Sequence, residues 1–172
     1  HVNHVKGLCS IAHQYGLKDV FVHAFTDGRD CDPKSGLGFV KELQESMSKS
    51  TGKIASIVGR YFAMDRDNNW DRLLKVEKNI FEGIGGDICQ IIPSIYVEKL
   101  YNSGMVDEHI KPILCLDEKG QKYLIGKNDG IFFFNFRADR AKQLTTEILK
   151  RRANSLSTAS AFSPKCESIT KL

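Results

Sequence analysis

The chain has 172 residues, 41% hydrophobic and 27% charged, a globular composition that excludes disordered, collagenous and fibrous classes. Its length suits one domain that buries roughly 70% of its unfolded surface without disulfide or metal staples. A net charge of +4, from 25 basic and 21 acidic residues with Lys150-Arg151-Arg152 as the tight run, leaves no footprint for nucleic acid, and no stretch reaches the ~20 apolar residues of a membrane helix.

In chain order, Val5, Leu8, Ala12 and Tyr15 recur at helical spacing, with Gly16 as C-cap. Asp19 to Phe25 reads as a strand that ends in the loop Thr26-Asp27-Gly28-Arg29-Asp30. Asp32-Pro33 predicts an N-cap followed by proline at the first helical position, and Leu37, Val40, Leu43 and Met47 form the stripe of that helix. Lys53 to Val58 predicts a second strand, broken at Gly59-Arg60-Tyr61 and followed by the polar loop Met64-Asp65-Arg66-Asp67. Trp70, Leu73, Leu74, Ile80 and Phe81 lie mostly on one helical face, which Gly83 to Gly86 terminate. Residues 92–103 predict a shorter helix. Ile113 to Leu116 and Tyr123 to Ile125 flank a turn at Glu118-Lys119-Gly120 and predict a hairpin, Ile131 to Phe136 a buried strand, and Ala138 to Arg151 a helix.

Strand, polar loop and helix therefore occur three times. That alternation predicts an α/β fold, a single-domain, three-layer sandwich with a mainly parallel sheet, whose ligand site lies beyond the carboxyl ends of the strands. Residues 1–150 are expected to form the domain, and 151–172, rich in Ser and Thr, a disordered tail.

The three loops at those strand ends share one chemistry. The first holds Asp27, Arg29 and Asp30, the second Arg60, Asp65, Arg66 and Asp67, and the third Asn135, Arg137, Asp139 and Arg140. Arginine offers a planar fork of donors that matches phosphate and carboxylate oxygens two at a time. Arg137 and Arg140 are three apart at a helix start, which sets them on one face beside the positive end of the dipole. The pattern predicts a pocket for a small, multiply anionic, phosphorylated molecule. A lone arginine is more often a solvated residue or the partner of a nearby Asp; three loops of like composition at one end of the sheet argue otherwise.

Other constellations carry less. Asp65-x-Asp67-x-Asn69 begins like a calcium loop, but Trp70 and Val76 stand where glycine and a bidentate Glu are required. His1 and His4 lack a third ligand nearby. His23, within a strand, reads as a hydrogen-bonded core residue. Cys31, beside Arg29, has no histidine base in its segment. No G-x-S-x-G, Walker or G-x-G-x-x-G segment is present. Five scattered cysteines, Cys9, Cys31, Cys89, Cys115 and Cys166, with no C-x-x-C pair, argue against a disulfide framework or zinc site and for a reducing compartment. The first residue is His and no signal-peptide pattern follows, so a piece of a longer protein is expected.

The segment His23-Ala24-Phe25-Thr26-Asp27-Gly28-Arg29-Asp30 resembles the H-A-F-x-D-G-R-D motif of the cofactor-independent (2,3-bisphosphoglycerate-independent) phosphoglycerate mutases. Residues 56–67, with Gly59-Arg60-Tyr61 and Met64-Asp65-Arg66-Asp67, are similar to that family's S-x-x-G-R-Y-x-x-M-D-R-D, and Trp70-Asp71-Arg72 continues the match. Asp107-Glu108-His109-Ile110-Lys111-Pro112 resembles D-E-F-x-x-P, with His109 where the family usually has Phe, and Phe134-Asn135-Phe136-Arg137-Ala138-Asp139-Arg140 resembles F-N-F-R-x-D-R. The motifs fall in family order from His1 to about residue 150.

The resemblance implies a glycolytic isomerase of two domains. A metal-binding, phosphatase-like domain carries a serine nucleophile and two manganese or similar ions. The inserted phosphotransferase domain, most of which this chain resembles, clamps the substrate. The resemblance further implies a monomeric, cytoplasmic enzyme that interconverts 3-phosphoglycerate and 2-phosphoglycerate through a phosphoserine, without a requirement for 2,3-bisphosphoglycerate. By motif, Arg29, Asp30, Arg60, Arg66, Arg137 and Arg140 bind substrate, and Asp30 is the catalytic residue that exchanges a proton with the glycerate hydroxyls. No segment matches the family's nucleophile or metal-ligand motifs, so the chain alone is expected to be inactive. The alternatives are a non-catalytic phosphometabolite-binding module and, last, an RNA-binding domain using Tyr61 and Phe62.

Overall fold

A computed structural model describes residues 1–157. Four strands, β1 (Phe21–Thr26), β2 (Lys53–Gly59), β3 (Asp87–Cys89) and β4 (Ile113–Cys115), form one sheet in the order β1-β2-β4-β3. The β1/β2 and β3/β4 pairs are parallel and β2/β4 is antiparallel, so the sheet is mixed with parallel pairing predominant. Helices α1 (Val2–Gln14), α2 (Gly36–Ser48) and α5 (Pro93–Asn102) pack through Cys9, Val40, Leu43, Met47 and Val97 against Ile54, Ile57 and Ile113. On a second core, α3 (Arg60–Ala63), α4 (Trp70–Glu82) and α6 (Ala138–Ser157) pack through Phe62, Leu73, Val76, Ile80 and Leu144 around Val58. This is the three-layer α/β arrangement expected. The β1/β2 register shifts between Val22 and His23, which pair with Ile54 and Ser56. The extra residue, Ala55, keeps Ile54 and Ile57 on one core while Val58 faces the other.

Helix ends follow the local chemistry. Gly83 takes the left-handed conformation (φ 67°) and its N–H donates to Asn79, as expected of a C-terminal glycine. His23 donates to or accepts from Ser56 Oγ at 2.8 Å within the sheet, and burial pushes its pKa down to about 4, which matches a core role.

Four expectations need correction, and one strand was missed. Asp32-Pro33 does not start α2: the Asp32 carboxylate accepts from Lys34 N–H (2.9 Å), closing a separate turn, and the helix begins at Gly36. β3 was not anticipated; three residues are too few to show a period. The Tyr123–Ile125 arm of the hairpin is reduced to one bridge, Leu116 to Lys122. Residues 131–136 form no strand among the described residues: Ile131 and Phe133 pack on the Val58 core, Phe132 and Phe136 are exposed, and no ladder joins them to the sheet. α6 continues past Arg151 to Ser157, so the first part of the expected tail is helical; residues 158–172, with Cys166, lie outside the described residues. Among the described residues no helix is long and apolar enough to cross a membrane.

Candidate functional site

The arginine-bearing loops are set by a short turn that arrives from far along the chain. Asp107–His109 forms a 3-10 turn lying against Gly28, Gly36 and Gly59. A Cβ on Gly59 would sit 2.3 Å from the Glu108 carbonyl oxygen, and one on Gly28 2.7 Å from Asp107 Cβ. Gly28 also has φ 68°, a conformation few other residues tolerate. Asp107 is fully buried. Its carboxylate accepts from Gly36 N–H (2.7 Å) and from the Tyr101 hydroxyl, and its carbonyl accepts from Thr26 Oγ1 (2.8 Å). Gly59 N–H donates to Ile110 O at 2.7 Å. One turn thus ties the end of β1, the start of α2 and the end of β2. The Asp107 carboxyl is pushed up by burial, against the opposing pull of Tyr101 and the Gly36 backbone.

The first loop is organised by Asp27. Its Oδ1 accepts from the N–H groups of Arg29 and Asp30, both at 3.1 Å, and from Arg60 Nη1 at 2.5 Å. Arg60 is 4% exposed and also reaches Asp30 Oδ2 at 2.7 Å. Burial raises the Asp27 pKa, but Arg60 and the two backbone donors outweigh it and hold the carboxyl below its ordinary range. Burial likewise opposes the charge on Arg60, which its two carboxylate partners hold above its ordinary value.

The second loop is organised by buried Asp65, which accepts from Asp67 N–H and Asn69 N–H (3.0 Å each) and Asn69 Nδ2 (2.8 Å). That ring of bonds carries Arg66 to Asp139 Oδ2 at 2.8 Å. The same carboxylate takes Arg137 Nη2 at 3.0 Å, and Arg137 Nη1 lies 4.0 Å from Asp30 Oδ2. Hydrogen bonds from Arg137 and Arg66 pull Asp139 down to about 2. Arg140 donates to Met64 O at 2.9 Å, and its Nε is buried with no hydrogen-bond partner among the described residues. Burial, then the positive charges of Arg66, Arg60 and Arg137, lower the Arg140 pKa.

Five of the six expected site residues are thereby brought together: Asp30, Arg60, Arg66, Arg137 and Arg140. Arg29, its side chain 62% exposed, pairs instead with Glu108 (Nη1 to Oε1 3.4 Å). The sequence reading passed over Asp27 and Asp139 as site members. Their signal was present, since each lies two or fewer positions from an expected arginine. The aromatics considered for base stacking are engaged: Phe62 is buried, and Tyr61 carries the Arg72 guanidinium 3.8 Å from its ring centroid with His109 edge-on at 4.9 Å. No cluster of three or more His, Cys, Asp or Glu able to hold a metal ion exists among the described residues.

Fold and site define an α/β sandwich domain that gathers arginines and carboxylates at the carboxyl ends of β1 and β2. The family described as BPG-independent PGAM N-terminus (iPGM_N) matches residues 1–170, and the chain belongs to that family. A 2,3-bisphosphoglycerate-independent phosphoglycerate mutase of Akkermansia muciniphila is 44% identical over 149 residues, 87% of this chain and 28% of that protein. One from Bacteroides fragilis is 42% identical over 150 residues, again 87% of this chain and 29% of that protein. Among solved structures, Leishmania mexicana phosphoglycerate mutase, crystallised at low cobalt concentration, superposes with TM-score 0.74 at 26% identity, covering 83% of this chain and 28% of that one. The chain spans under a third of the length of these relatives.

Proposed function

We propose that this chain is the substrate-clamping part of a phosphoglycerate mutase that interconverts 3-phosphoglycerate and 2-phosphoglycerate, the phosphoryl group resting meanwhile on a serine of a second, metal-binding domain. One observation carries the reading. Four guanidinium groups converge: Arg66 and Arg137 share Asp139, Arg60 and Arg137 both approach Asp30, and Arg140, lowered by burial and then by the charges of Arg66, Arg60 and Arg137, keeps a buried Nε with no hydrogen-bond partner among the described residues. Such mutual repulsion costs stability, and a multiply charged anion between the arginines relieves it.

In this reading Arg66, Arg137 and Arg140 hold phosphate and carboxylate oxygens. Arg60, gripped by Asp27 and Asp30, acts from below, and Arg29 turns in from its exposed position when glycerate binds. Asp30, 60% exposed on its side chain, presents a carboxylate to the glycerate hydroxyls and exchanges a proton with them. The protein's contribution is positioning and charge stabilisation, the terms that dominate phosphoryl transfer.

Isothermal titration of the purified protein with 3-phosphoglycerate tests this. Arg137→Ala and Arg140→Ala are each expected to weaken binding about tenfold or more, the loss of one charge-assisted hydrogen-bond pair. Unchanged affinity in both variants would overturn the assignment.

A further inference from the structure

Away from the arginine cluster, Cys89 and Cys115 are direct partners across the parallel β3/β4 pair. In-register neighbours on adjacent strands lie about 4.8 Å apart, within the ~4.4–6.8 Å that a disulfide spans. Both side chains face the same core, with Val97 and Tyr101 of α5, and they are 0% and 2% exposed. The Cys89 thiol donates to Ile91 O at 3.1 Å, and each of the two thiols shifts the ionisation of the other. We propose that Cys89 and Cys115 form a reversible dithiol–disulfide site oxidised by a small hydroperoxide.

The roles of the two sulfurs differ. Cys89 sits on the short edge strand β3, whereas Cys115 sits on the inner strand β4. The neighbouring thiol, with the Lys99 charge assisting, lowers the Cys89 pKa against the effect of burial, and the same pairing together with burial raises that of Cys115. Cys89 is therefore the attacking thiolate and Cys115 the resolving thiol. In the first step the Cys89 sulfur attacks one peroxide oxygen, the O–O bond breaks, and the departing hydroxide takes a proton to become water. Cys89 is then a sulfenic acid. In the second, the Cys115 sulfur attacks the Cys89 sulfur, the S–O bond breaks, and the leaving hydroxide takes the Cys115 proton. Overall two thiols lose two electrons and two protons, and the peroxide is reduced to two waters.

Access comes from the position of β3. It is an edge strand three residues long, and Asp87, Ile88 and Gln90 around it are exposed. A short edge strand opens locally more readily than the core, and hydrogen peroxide is scarcely larger than water. The bond would close a loop containing α5 and the Asp107–His109 turn, linking the redox state of this site to the element that sets the arginine loops.

The test uses the purified protein treated with hydrogen peroxide near neutral pH, then alkylated in denaturant and digested without reduction for mass spectrometry. A linked Cys89–Cys115 peptide that dithiothreitol abolishes is expected, in about tenfold excess over any other cysteine pairing, because no other pair among the described cysteines shares a strand register. In Cys115→Ser, dimedone should capture Cys89 as its sulfenic acid. The proposal fails if Cys89 and Cys115 remain alkylatable while half-buried Cys31 oxidises. It fails equally if folded and urea-unfolded protein give the same mixture of pairings, a comparison that needs no variant. Neither result bears on phosphoglycerate binding.

Discussion

Asp139 is the residue on which the arginine cluster turns. It accepts from Arg66 and Arg137 at once and so supplies the negative charge between them. Asp139→Asn removes that charge and leaves the guanidinium groups opposed. In low salt the variant's thermal midpoint should fall below that of the parent, and added inorganic phosphate should raise it by more than it raises the parent's. Equal phosphate responses in the two proteins would contradict this. His23 sets a second, separable dependence. Its folded pKa of about 4 lies below the ordinary value of 6.5, so the neutral ring is favoured by folding. The associated stability is complete above pH ~6.5 and is lost as pH falls toward ~4, by about 3 kcal/mol at most. Urea titrations across that window should show the loss in the parent and not in His23→Gln. Asp139, with its pKa about 2, acts lower: its contribution persists above the ordinary carboxylate value and fades only as pH falls through that figure.

At the scale of elements, the Asp107–His109 turn holds the site and the glycines beneath it make room. Gly59→Ala would drive a methyl to 2.3 Å from the Glu108 carbonyl oxygen and 2.6 Å from that of Asp107. Overpacking of this kind costs about 1–3 kcal/mol, and binding of phosphate to the arginine loops should weaken in the same variant. Gly38→Ala is the control: nothing lies within 4 Å of its would-be Cβ, inside α2, and helix propensity predicts a gain of roughly 0.5–1 kcal/mol. Chemical denaturation of both variants checks the contrast. The same scale shows which elements were legible in the sequence. Helices α1 and α4 announced themselves because a helix is a local object, with its period and its terminating glycine, Gly16 or Gly83, within reach of one another. A strand is defined by its partner. Residues 131–136 keep the inward and outward alternation of a strand, yet no neighbouring backbone completes a ladder with them. β3 has a partner but is too short to display a pattern.

For the whole molecule, the convergence of the first two arginine loops was readable because β1 and β2 are parallel and put the loops that follow them at one end of the sheet; Arg137 and Arg140 reach the same place from a segment that forms no strand among the described residues, so for them the expectation held without the strand it was argued from. The pairing of Arg29 with Glu108 was not readable, since Glu108 comes from a distant segment. With the phosphoserine and metal chemistry assigned to another domain, the purified chain is expected to bind 3-phosphoglycerate weakly and to produce no 2-phosphoglycerate. An enolase-coupled assay reads this directly, and turnover by the chain alone would refute the division of labour.

The tie between Thr26 and the Asp107 carbonyl joins positions 81 apart in sequence. Closing a loop of that length is entropically expensive and comes late in folding. On the ribosome, then, the segments bearing Arg29 and Arg60 emerge first and wait. They acquire their final shape only after translation has carried the chain past Ile110, so a pause or premature stop before that point would leave an acidic and basic tangle with no binding competence.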